Sequence, residues 1–186
     1  MGFLLTISKL IDGLNERVGR IVYWGILAAV LISSFNATMR YTVNYSSNAW
    51  LEVQWYLFSM VFLLSAGYTL LRNEHIRIDV VTGRFSRRTQ AWIDVLGTLF
   101  FLLPMAVTIM ILSWPMVTSS FVGQEMSGDA GGLVRWPVKA MIPAGFLLLS
   151  LQGLSELIKR VAFLAGRIED PIGKQGGPHS HASAEG

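Results

Sequence analysis

Apolar residues run in four blocks, at residues 21–39, 50–71, 91–113 and 137–157, with polar stretches between them. Each block holds about twenty residues, the length an α-helix needs to cross a hydrocarbon layer of about 30 Å. The longest gap, 114–136, is rich in Gly and Ser and too short to fold as a soluble domain. The pattern predicts an all-α membrane protein of four transmembrane helices. Residues 1–20 carry a different pattern. Phe3, Ile7, Leu10, Leu14 and Val18 recur at helical spacing, while Lys9, Asp12, Asn15 and Glu16 fall elsewhere on the wheel. That spacing predicts an amphipathic helix lying along the cytoplasmic interface. No basic leader and no small-residue cleavage site mark this stretch as a signal peptide. Residues 166–186, with Pro171, Pro178, several glycines and two histidines, read as a disordered tail. The expected division is therefore 1–20, 21–165 and 166–186.

Charge sets the expected orientation. Lys9, Arg17 and Arg20 precede the first block; Arg72, Arg77, Arg84, Arg87 and Arg88 fill the middle gap; Lys159, Arg160, Arg167 and Lys174 follow the last block. Only Arg40, Arg135 and Lys139 lie on the other side. The bias of twelve to three places both termini and the middle gap in the cytoplasm (N-in, C-in). Tyr41, Tyr45, Trp50, Trp55, Trp114 and Trp136 then form an outer aromatic belt, and Tyr23, Trp24, Tyr68 and Trp92 an inner one. The basic residues are split among segments that face lipid headgroups, so they do not form a nucleic-acid patch.

Composition narrows the chemistry. With no cysteine in the chain, a thiol redox centre and a Cys-ligated metal are excluded. No histidine lies within a block, so the axial ligands of a membrane haem are missing. No nucleophile–His–carboxylate set and no H-E-x-x-H spacing occurs. The reading is of a protein that is not an enzyme and carries no cofactor or metal.

Polar residues inside membrane helices are costly and mark function. Here they are few: Asn36 in the first block, Glu52 and Gln54 at the start of the second, Asp94 at the start of the third, Gln152 and Glu156 near the end of the fourth. None of the carboxylates reaches the middle of a block. Glu52 admits two readings: a proton-coupling carboxylate in a small four-span exporter, or a structural group that caps a helix start or pairs with Arg40 or another subunit. Its shallow depth favours the structural one. Asp94 is expected to pair with a middle-gap arginine or to contact Gln90, and Glu156 to pair with Arg160 four residues on.

The middle gap reads Arg72-Asn73-Glu74-His75-Ile76-Arg77-Ile78-Asp79. Acidic groups interleaved with arginines predict an ion-pair network, built from Arg72, Glu74, His75, Arg77, Asp79 and Asp94, that holds the loop in one shape. Ser86 is positioned to cap the next helix.

These residues carry a resemblance. Glu52-Val53-Gln54-Trp55, then Gly67-Tyr68-Thr69-Leu70, then the run from Arg72 to Asp79, resemble the small membrane subunit of the TRAP (tripartite ATP-independent periplasmic) transporters, the DctQ-like family. Arg135-Trp136-Pro137 through Gly145-Phe146 to Gln152 looks like that family's fourth span. The likeness covers about residues 15–165. It implies a multi-pass protein of the bacterial inner membrane. The implied partners are membrane lipids, a large membrane subunit that carries the substrate and sodium sites, and a periplasmic substrate-binding protein that delivers an organic acid. This chain would be the auxiliary scaffold subunit of that symport system. Asn36, Glu52, Gly67, Gly97 and Gln152 are then candidate contacts to the large subunit, and the two outer gaps candidate docking points for the binding protein. The alternative is a self-sufficient proton-coupled exporter or channel built on Glu52.

Overall fold

A computed structural model describes residues 2–45, 47–72 and 85–168. The order of elements is α1 (Gly2–Val43), α2 (Asn48–Leu64), α3 (Ala66–Leu71), α4 (Arg87–Gly97), a π-helical segment (Thr98–Leu102), α5 (Leu103–Val122) and α6 (Trp136–Leu164). Four stretches are long and apolar enough to span a membrane: Gly2–Val43, Asn48–Leu71, Arg87–Val122 and Trp136–Leu164. Each predicted block is present and each helix outruns its block, because polar residues near an end still complete helical turns. Thr118 and Ser119 illustrate this at the end of α5: their hydroxyls donate to the carbonyls of Pro115 and Met116, 2.9 and 3.1 Å away. The glycine-rich gap thus shrinks to residues 123–135.

Residues 2–20 do not form a separate helix. α1 is a single helix of 42 residues, and no break divides its first turns from the apolar block. Its buried positions, Ser8, Ile11, Asn15, Gly19, Val22, Gly25 and Ala29, repeat at intervals of three and four. That stripe of small and polar side chains lets neighbouring backbones approach, as membrane helix packing requires. Asn15 is fully buried, whereas Phe3 is 77% and Leu10 70% exposed.

The helix α6 lies at the centre. It packs against α1, α2, α3, α4 and α5, and α5 rests mainly on it. Gly145 allows a close crossing of backbones: a Cβ there would stand 2.5 Å from the carbonyl oxygen of Leu63 on α2. Pro104 sits just after the π segment. The wide turn, closed by the Leu103 amide bonding to Thr98, precedes the residue that lacks an amide hydrogen. Ser86 caps α4 as expected, accepting from the Thr89 amide at 3.3 Å.

Candidate functional site

The fold concentrates polar groups at its two ends. At one end, residues 123–135 turn back as a short hairpin. Met126 and Val134 form an isolated antiparallel bridge, the Ser127 amide bonds to Leu133 at 2.9 Å and the Arg135 amide to Glu125 at 2.9 Å. Gly131, at φ +74°, supplies the left-handed residue in the turn. Three side chains of α2, spaced four residues apart, hold this hairpin by its backbone. Asn48 donates to the Ala130 carbonyl at 3.2 Å, Glu52 accepts from the Leu133 amide at 2.6 Å, and Tyr56 donates to the Val134 carbonyl at 2.9 Å. Residues i, i+4 and i+8 share one helix face, so one side of α2 clasps one edge of the loop. Lys139 on α6 pairs with Glu125 from the other side. That ammonium, with the Arg135 charge nearby, holds the Glu125 carboxyl below its ordinary range. Phe121 and Trp136 stack edge to face across the base of the hairpin, 5.3 Å between ring centres.

Between α2, the hairpin and the start of α6 lies a cleft of about 360 Å³. Leu51, Trp55 and Val138 give it apolar walls; Glu52, Arg135 and Lys139 line its polar part.

At the opposite end, α1 and α6 are joined by a seam of side chains. Asn15 donates to the Gln152 amide oxygen at 2.9 Å, and Gln152 in turn donates to Asp12 at 2.9 Å and to Glu156 at 3.3 Å. Ser155 donates to Asp12 at 2.7 Å, and the Ser8 and Ser155 hydroxyls lie 2.6 Å apart. Lys159 sits between the carboxylates, 3.1 Å from Asp12 and 2.5 Å from Glu156. Gly67 belongs to this cluster, because a Cβ there would overlap Asn15 Oδ1. Two neighbouring pairs extend it: Arg160 with Asp94 at 3.4 Å, and Glu16 between Arg20 at 2.7 Å and Arg72 at 3.0 Å. Among the described residues no group of three or more His, Cys, Asp or Glu is placed to hold a metal ion.

The residues singled out in the sequence now have positions. Asn36, Gly67 and Gln152 are buried inside the chain, so their packing is spent on its own helices. Gly97 faces open space. Glu52 neither caps α2, whose first residue follows Ser47 without a side-chain cap, nor forms an ion pair with Arg40; its partner is the hairpin backbone. Glu156 pairs with Lys159 rather than Arg160, which turns to Asp94. Of the loop network, Arg72 meets Glu16 and stacks over Tyr68 at 5.3 Å; Glu74, His75, Arg77 and Asp79 lie outside the described residues. The clasp escaped the sequence reading, although Asn48, Glu52 and Tyr56 mark one face of a mostly apolar helix.

A family model described as "Tripartite ATP-independent periplasmic transporters, DctQ component" matches residues 29–163. No curated protein and no solved structure matches the chain at a significant level. The match spans most of the sequence, including the clasp, the cleft and the α6 half of the seam. The chain belongs to the DctQ family, the small component of the tripartite ATP-independent periplasmic transporters.

Proposed function

We propose that this chain is the fixed, non-transporting wall of a sodium-coupled importer of organic acids in the bacterial inner membrane. It supports the large permease subunit and presents its hairpin end to the periplasmic binding protein, with both termini in the cytoplasm. One observation carries the reading. No carboxylate or amine stands in the middle of an apolar block, and those toward the block ends or beside them are engaged: Glu52 by the hairpin, Asp12 and Glu156 by Lys159, Asp94 by Arg160, Glu16 by Arg20 and Arg72. A carrier needs an ionisable or polar site that binds its solute and releases it; this bundle uses its charges to join its own helices. The lateral bias of arginine and lysine supports the orientation.

The test is reconstitution. Vesicles holding this chain alone should show no uptake of radiolabelled carboxylates under a sodium gradient. Vesicles that also hold the large subunit, supplied with the binding protein, should take them up. Uptake by the chain alone would overturn the reading and favour the exporter built on Glu52, in which Glu52→Gln would abolish flux.

A further inference from the structure

A hollow of about 280 Å³ lies at the seam end, where α4 and the π segment meet α6 and the first turn of α1. Its lining is aliphatic throughout: Leu4, Val95, Leu99, Leu157, Ile158 and Val161. Val95 is buried, whereas Leu4, Leu99 and Val161 are exposed, so the hollow opens away from the bundle. Val95 and Leu99 belong to a longer stripe. Arg88, Trp92, Val95 and Leu99 are spaced by four, three and four and share one face of the third span. Along that stripe a cation gives way to an amphipathic ring and then to branched aliphatics, within about 16 Å at the helical rise. A phospholipid presents the matching order from phosphate to acyl chain, with the Trp92 ring, 55% exposed, at headgroup level.

Charge says which lipid fits. Arg88 is exposed and forms no ion pair among the described residues. The two acids that flank the hollow are already engaged: Asp94, next to Val95, by Arg160 at 3.4 Å, and Glu156, next to Leu157, by Lys159. Arg160 still has one buried nitrogen, Nη1, without an acceptor among the described residues. In the sequence as a whole, residues 1–20, 72–94 and 156–186 hold twelve basic side chains against nine acidic ones. The bay between α4 and α6 thus has donors to spare, and both of its flanking acids are occupied. The ammonium of a zwitterionic headgroup would find no free acid there, while an anionic phosphodiester brings acceptors alone. A second protein helix suits the hollow less well. Close helix contact in a membrane relies on Gly, Ala and Ser, and no lining residue here is smaller than valine.

We propose that this hollow holds an acyl chain of an anionic phospholipid whose phosphodiester meets Arg88. The site stands apart from the scaffold reading, since it needs only the bundle in a bilayer. The test is native mass spectrometry of the full chain in detergent, titrated with equal amounts of phosphatidylglycerol and phosphatidylethanolamine. One phosphatidylglycerol should be retained several-fold over phosphatidylethanolamine. Arg88→Gln should abolish that preference and Arg88→Lys should keep most of it, while Arg17→Gln, at an exposed arginine of α1, should leave it unchanged. Leu99→Trp fills the hollow: helical circular dichroism should persist and retention of the lipid should fall several-fold. Equal retention of the two lipids, or a preference that survives Arg88→Gln, overturns the proposal. The absence of cysteine permits a second arm. Leu99→Cys is labelled with benzophenone maleimide in native membranes containing the whole transporter and irradiated. Phospholipid adducts are expected; adducts with another protein subunit in their place overturn the site and leave the scaffold reading intact.

Discussion

The two polar ends are built by different means. At the α1–α6 seam, side chains bond to side chains across two long helices. Seven groups from Ser8 to Lys159 form one connected set, and Gln152, Asn15 and Ser155 have no exposure to solvent. At the hairpin end, three side chains of α2 hold single backbone groups of a loop, and most of the members are partly exposed. A connected, dry set fails as a unit, because removing one member leaves the others buried and unpaired. A row of separate bonds to a loop fails one bond at a time. The seam fixes the register of α1 against α6; the clasp positions a surface that is free to adjust.

Lys159→Ala should break that contrast most visibly. It leaves Asp12 and Glu156 facing each other without their shared ammonium, and the loss expected on removing one partner of a largely buried ion pair is about 3 kcal/mol. A thermal melt in detergent should shift downward by several degrees. If the shift were no greater than that of Glu52→Gln, the seam and the clasp would not differ as argued. Gln152→Leu comes next: it strips Asn15 of an acceptor and Asp12 of a donor, at about 1–3 kcal/mol, read in the same melt.

Glu52→Gln sharpens the other side. The neutral amide keeps the shape and weakens the bond to Leu133, so hydrogen exchange at the hairpin amides should quicken while the α1–α6 amides stay protected. Transport by the assembled system should persist at a reduced rate. The smallest effect is that of acid on Glu125. Its folded pKa lies below the ordinary 4.5, so the stabilisation from Lys139 is present above that ordinary value and is lost as pH falls through the lowered one. Hairpin exchange should rise in that acid window, and Glu125→Gln should flatten the dependence.

The four spans were legible because twenty-residue apolar blocks admit no other structure in lipid, and the Ser86 cap because a serine before a helical pattern has a specific bond to make. Span ends were not legible, since Thr118 and Ser119 satisfy their own hydroxyls within α5 and continue a helix that their polarity seemed to end. In the first turns of α1, Phe3 and Leu10 face outward and Ser8 and Asn15 inward. In water, Phe3 and Leu10 would turn inward; here they point out, and Asn15 and Asp12 turn toward α6. Within a bilayer the usual rule inverts, because the surroundings are as apolar as the core and only the polar groups gain by meeting each other. The clasp was hidden for another reason: its acceptors and donors on the hairpin are backbone atoms, which carry no sequence signature.

The π segment Thr98–Leu102 has a consequence for how such a chain tolerates change. A wide turn holds one residue more than an ordinary one. Deleting a residue there would tighten the coil locally and leave the faces that α4 and α5 offer to α6 in phase. A straight span has no such slack, and losing one residue from it would rotate everything downstream by about 100°. Length variation within the third crossing should therefore collect just ahead of Pro104.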